Sequence, residues 1–176
     1  MTIWDTTSAT GGYGTGASWS DGDAGGGVQI QTALVPSDFI GGTILNVWFY
    51  LNTNVTSSST DAIYCYVIDS AGATKATSTN SVSRAVITTS FVLHQFTFTG
   101  VTIADTDNIM VGFSGASGSG GLAVDGAQNE TAMNTFNNYS PSTLNGPWSG
   151  QYRMKIEYTP ASSGATLLFP PPVAYI

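Results

Sequence analysis

Hydrophobic and polar positions alternate along much of the chain with a period of two, the repeat of a strand with one buried face. The cleanest run lies near the C-terminal end. There Tyr152, Met154, Ile156 and Tyr158 alternate with Arg153, Lys155 and Glu157 until Pro160 stops the pattern. Thr43 to Leu51 sets Leu45, Val47, Phe49 and Leu51 on one face and Ile44, Asn46, Trp48 and Tyr50 on the other. Ala62 to Ile68 follows, then the turn Asp69-Ser70-Ala71-Gly72 and a polar segment, Ala73 to Thr79, that reads as the return of a hairpin. Ser90 to Thr99 sets Phe96 and Phe98 against Gln95 and Thr97. After Asp105-Thr106-Asp107-Asn108, the residues Ile109, Val111 and Phe113 alternate with Met110, Gly112 and Ser114. Shorter candidates are Val28 to Val35, closed by Pro36, and Leu122 to Val124, behind the glycine-rich loop Gly115 to Gly121. No window of eleven residues repeats apolar positions at helical spacing. About eight strands separated by turn-rich clusters predict an all-β fold: an antiparallel two-sheet jelly-roll β-sandwich over residues 28–160.

Both flanks break this pattern, and they are expected to be extended arms. Residues 1–27 are rich in Gly, Ser, Thr and Asp with isolated rings, Trp4, Tyr13 and Trp19, and read as an N-terminal arm without regular structure. Residues 161–176 carry no charge and combine Leu167, Leu168 and Phe169 with Pro170-Pro171-Pro172 and with Val173 and Tyr175. Consecutive prolines donate no ladder hydrogen bonds and favour an extended polyproline conformation. An apolar extended segment is costly to leave in water, at roughly 25 cal/mol per Å². These eight residues, Leu167 to Val173 and Tyr175, are therefore the expected contacts of a C-terminal arm with a neighbouring subunit or an underlying shell.

Composition sharpens the picture. Charged residues make up 9% of the 176 residues, against roughly 25% in an average soluble domain. Ser, Thr, Asn and Gly take their place, as suits sheet faces and long loops rather than helical surfaces. Four Lys plus Arg against eleven Asp plus Glu give a formal net charge of −7. So few cations offer nothing to the phosphates of nucleic acid or to an anionic membrane. Met1-Thr2-Ile3-Trp4-Asp5 has neither the basic start nor the apolar run of a secretion signal, which suggests assembly where the chain is made.

Residues able to move protons or hold metals are scarce. His94 is the one histidine, in a strand between Leu93 and Gln95, and reads as facing solvent or a subunit neighbour. Cys65, the one cysteine, sits in an apolar strand and reads as core. One His and one Cys cannot supply the three or four ligands of a zinc site. Of the two glutamates, Glu130 lies in a polar loop and Glu157 reads as charge-paired with Arg153 and Lys155. No nucleophile elbow is present, and the chain is expected not to be an enzyme. Asp21-Gly22-Asp23 and Asp105-Thr106-Asp107 are spaced like calcium-loop carboxylates but lack the full twelve-residue pattern. They read as ordinary turns, with a structural calcium as the alternative and no cofactor otherwise. Trp48, Tyr50, Tyr64 and Tyr66 offer an aromatic platform for a sugar ring, or else divide between core and subunit contacts.

The run Gly42-Thr43-Ile44-Leu45-Asn46-Val47-Trp48-Phe49-Tyr50-Leu51 resembles the GxIxxVxFYL strand of jelly-roll modules in tailed-phage structural proteins and in carbohydrate-binding-like surface domains. Ile63 to Thr79 resembles the hairpin that follows in those modules, and residues 90–113 their central part. The likeness covers roughly residues 28 to 159 and is a pattern of strands, which specifies fold better than function. It implies a virion surface protein: a capsid decoration or cement protein, or a head or tail fibre module. Other capsid proteins and further copies of the chain, in a trimer, are the partners expected. The alternative it implies is an extracellular carbohydrate- or receptor-binding module, whose relatives hold a calcium and an aromatic platform.

Overall fold

The computed structural model describes residues 1–6, 13–19, 26–29, 33–53, 62–113, 122–127, 134–137, 139–140, 143–144, 148–149 and 151–162. Strands dominate: β1 (Thr2–Asp5), β2 (Tyr13–Trp19), β3 (Gly26–Gln29), β4 (Thr43–Thr53), β5 (Ala62–Ile68), β6 (Thr74–Thr77), β7 (Val82–Ser83), β8 (Val92–Thr102) and β9 (Asn108–Phe113). The chain continues with β10 (Leu122–Ala127), β11 (Asn134–Asn137), β12 (Tyr139–Ser140), β13 (Thr143–Leu144), β14 (Trp148–Ser149), β15 (Gln151–Tyr152) and β16 (Met154–Thr159). Among the described residues the only helical turn is the short 3-10 segment Arg84–Val86.

Two antiparallel sheets hold most of these strands. In the first, β4 lies between β8 on one side and, on the other, β16 at one end and β10 at the other. β1 extends it beyond β16, and β2 beyond β10. The second sheet runs β14-β11-β3-β9-β5-β6, with β7 also on β5. The strand patterns read from the sequence drive the packing. Val47, Phe49 and Leu51 of β4, Ile63, Cys65 and Val67 of β5, Phe96 and Phe98 of β8, Ile109 and Val111 of β9, and Met154, Ile156 and Tyr158 of β16 join one buried cluster between the sheets.

One inward position departs from simple alternation. Ile44 is fully buried and Leu45 only half-buried, the reverse of the pattern expected from sequence. The register between β4 and β16 slips here: Tyr158 pairs with Ile44 and Glu157 with Asn46, leaving Leu45 as the extra residue of a bulge. The register with β8 breaks at the same place, where Gly100 adopts φ +107° and a Cβ would stand 3.2 Å from Thr43 Cγ2.

The segment before β4 closes one end of the core. Phe39 is buried and meets Trp4 and Tyr158 edge-on, at centroid separations of 5.2 and 4.9 Å. The Tyr158 hydroxyl donates to Asp38 Oδ1 at 2.7 Å. Gly42 passes so close to the Phe39 and Thr159 carbonyl oxygens that a Cβ would stand 2.8 and 2.9 Å from them. The hairpin β5–β6 forms as its sequence predicts, with Asp69 Oδ1 accepting from the Ala71 and Ala73 N–H groups. The free edge of β8 is covered by the 79–80 turn: Asn80 accepts from Thr97 N and donates to Gln95 O, and Thr79 N donates to Thr97 O.

The N-terminal flank differs from the arm expected. Residues 1–27 hold the paired strands β1 and β2 and the start of β3, because Trp4 finds a place against the core and the glycine-rich stretches pair through their backbones. Val28 begins the first expected strand, but that strand is Gly26–Gln29, and residues 33–35 are turn and bend. At the other end Ala161 N donates to Asp38 O at 2.9 Å, which ties the start of the expected C-terminal arm to the sandwich. Leu167, Leu168, Phe169, Pro170, Pro171, Pro172, Val173 and Tyr175 lie outside the described residues.

Candidate functional site

The outer face of the first sheet carries the most organised set of polar and aromatic side chains among the described residues. Because Val47, Phe49 and Leu51 point inward, Asn46, Trp48 and Tyr50 point out. Antiparallel register sets Lys155 opposite Trp48 and Glu157 opposite Asn46 on β16, and Gln95 and Thr97 opposite the same two residues on β8. The Lys155 ammonium stands 5.0 Å from the Trp48 ring centroid, and the Arg153 guanidinium 5.0 Å from that of Tyr50. Each is a cation–π contact, worth about 0.5–1 kcal/mol at an exposed site. Asn46 knits the next row: its Nδ2 donates to Glu157 Oε2 at 2.6 Å, and its Oδ1 accepts from Gln95 Nε2 and Thr97 Oγ1, both at 2.9 Å. Glu157 thus takes Asn46 while Lys155 takes Trp48, in place of the pairing between these two that the sequence suggested. Two rings, two cations and an amide network are fixed across three strands before any partner arrives.

Tyr64 and Tyr66 stand elsewhere. On β5 it is Ile63, Cys65 and Val67 that enter the core, so the two tyrosines point away from it on the opposite outer surface. Two sheets about 10 Å apart separate them from Trp48 and Tyr50. The four aromatic residues therefore do not form one platform; they form two pairs facing in opposite directions. Tyr64 and Tyr66 lie 6.3 Å apart between centroids, with Gly112 and Met110 of β9 as their cross-strand neighbours. Burial raises the Tyr66 hydroxyl above its ordinary range, and Tyr64 and Cys65 add to the effect.

The described acids and bases are engaged in structure. Asp107 Oδ2 accepts from Lys75 Nζ at 2.6 Å and from Ala104 N at 2.8 Å, and Lys75 also donates to Thr102 O. Lys75 thus pairs with Asp107, one of the two carboxylates of the Asp105-Thr106-Asp107 turn. No group of three or more His, Cys, Asp or Glu side chains placed to hold a metal occurs among the described residues. Asp21 and Asp23 lie outside them. Cys65 is fully buried, as its apolar strand predicted, and burial pushes its thiol far up. His94 corrects an expectation. It is paired with Phe49 and stands two residues before Phe96, so it points to the inner side of its sheet rather than to solvent. Its Nε2 is buried without a hydrogen-bond partner, and desolvation lowers its pKa.

The chain matches no protein-family model, no curated protein and no solved structure. No described helix is long and apolar enough to cross a membrane.

Proposed function

We propose that this chain is a non-enzymatic structural module of a virion, an outer-capsid decoration or cement protein that stabilises a particle through subunit contacts. The jelly-roll winding of the sandwich belongs to the same proposal. The observation that carries it is the outer face of the first sheet. Trp, Tyr and Arg are the residue types that anchor protein interfaces, and here Trp48, Tyr50 and Arg153 stand on an internally bonded surface. Such preorganisation lowers the entropy lost on docking. Among the described residues, Asp38 is bonded to the fold by Tyr158, Asp69 by a turn, Asp107 by Lys75 and Glu157 by Asn46. The strand likeness of residues 28 to 159 to tailed-phage modules supplies the kind of assembly.

Add-back binding tests this reading. Purified chain mixed with particles lacking it should saturate at a fixed copy number and raise the temperature at which the particles lose their genome. Failure to bind particles at micromolar concentration would count against it.

A second reading, a glycan-binding module, is favoured by one observation: the Asn46 and Gln95 amides adjoin the Trp48 ring on one surface. Rings that stack on a sugar and amides that bond its hydroxyls are the combination such a site requires. It is restricted to Trp48 and Tyr50, since Tyr64 and Tyr66 face the other way. Specific signals on a glycan array that vanish in Trp48→Ala would favour it over the assembly reading.

A further inference from the structure

We infer that the outer face of the first sheet is self-complementary and pairs two copies of this chain about a two-fold axis. The inference rests on reading that face as an assembly surface, and it names the partner. Three observations lead to it.

Charge is the first. A chain of net charge −7 repels its own copies, so any contact between copies must use a region where that excess is absent. This face holds Lys155 and Arg153, two of the four cations in the chain. With Glu157, and Asp5 of β1 opposite Lys155, the charges that β1, β4, β8, β16 and the adjoining Arg153 place on this face sum to zero.

Order is the second. Lys155 and Glu157 lie two residues apart on β16, about 7 Å along the strand. Each heads a row that crosses the sheet: Lys155, Trp48, Gln95 and Glu157, Asn46, Thr97. Consider a two-fold axis lying between two such faces and running across the strands, midway between the rows. It brings Lys155 of each copy over Glu157 of the other, and Trp48 over Asn46. One operation satisfies both charges twice, as an isologous contact requires.

Area is the third. β4 and β8 each run for 11 residues, about 36 Å, and the sheet is four strands wide at both ends, about 19 Å. The product, on the order of 700 Å², is close to the roughly 800 Å² per partner of a standard interface.

Sedimentation velocity over a concentration series tests the pairing, with circular dichroism confirming that each variant is folded. The wild type should form a reversible dimer. Trp48→Ala, Lys155→Glu and Glu157→Lys should each weaken it about tenfold or more. Mixing Lys155→Glu with Glu157→Lys should produce a heterodimer, because one variant carries acids at both positions 155 and 157 and the other carries bases at both. A measurement on the unaltered chain stands beside these: carbodiimide cross-linking of an equal mixture of ordinary and nitrogen-15 labelled protein should yield mixed-isotope Lys155–Glu157 links. A monomer at every concentration, a trimer, a dimer indifferent to these substitutions, or cross-links without mixed isotopes would overturn the inference. A chain that stays monomeric yet saturates particles would remove the two-fold contact and leave the assembly reading in place; one that does neither removes both.

Discussion

Lys75→Met and Asp107→Asn remove the same ion pair but leave unlike groups behind, and the structure predicts unequal costs. The two side chains meet at 2.6 Å, with Lys75 29% exposed and Asp107 3% exposed. In Lys75→Met the carboxylate stays buried and charged, with the Ala104 N–H still donating to it. Leaving a buried charge without its counter-ion costs about 3 kcal/mol. In Asp107→Asn the amide oxygen still accepts from Ala104, while the ammonium keeps Thr102 O and turns its other protons to water. The loss is then that of one charge-assisted bond partly replaced by hydration, about 1 kcal/mol. For a chain of this size each kcal/mol lowers Tm by about 2–4 °C. Lys75→Met should therefore melt about 6–12 °C below the wild type, and Asp107→Asn about 2–4 °C below. The double variant buries no charge and should lie near Asp107→Asn rather than at the sum. Urea unfolding followed by tryptophan fluorescence measures all three. Equal costs for the single variants, or a larger one for Asp107→Asn, would refute the argument that burial of the surviving partner decides the outcome.

Three further outcomes follow from groups already placed. Folding disfavours the charged form of His94, so stability should be full above about pH 6.5 and decline as pH falls below it; urea midpoints from pH 7.5 to 5 should show this slope, and His94→Gln should flatten it. Burial and the bond to Asp38 push the Tyr158 hydroxyl up from 10.0 to about 12. The stability this tyrosine contributes is thus present below pH 10 and lost as pH rises toward 12, a loss that Tyr158→Phe should abolish in alkaline melting curves. Deleting residues 163–176 leaves the Ala161 bond to Asp38 intact; the truncated chain should melt within about 2 °C of the full one but fail to bind particles, and unfolding or normal binding would exclude the docking-arm role.

The strands were legible where one face is buried and the other is not. β5 and β16 occur as read, because alternation at Ile63, Cys65 and Val67, and at Met154, Ile156 and Tyr158, is a local property of the chain. What was not legible depends on pairing between distant strands. The bulge at Leu45 arises from the slip against β16 and β8, which leaves no mark in residues 43–51 themselves. Period-two alternation also says which side chains share a strand face, but not which sheet receives the strand. Alternation alone therefore does not separate Trp48 and Tyr50 from Tyr64 and Tyr66, although β4 and β5 belong to different sheets. The cation over each ring depended on register as well: Lys155 is far from Trp48 in sequence and opposite it in the sheet. A single aromatic residue between Asp38 and Ile40 carries no periodicity, yet Phe39 closes the end of the core.

The most direct test of the account is to count this chain in particles. Quantitative mass spectrometry of virions purified from the source that encodes it should find the protein at many copies per particle, in a fixed ratio to the principal shell protein across independent preparations. Its absence from purified particles, or a trace amount that varies between preparations, would contradict the assembly role.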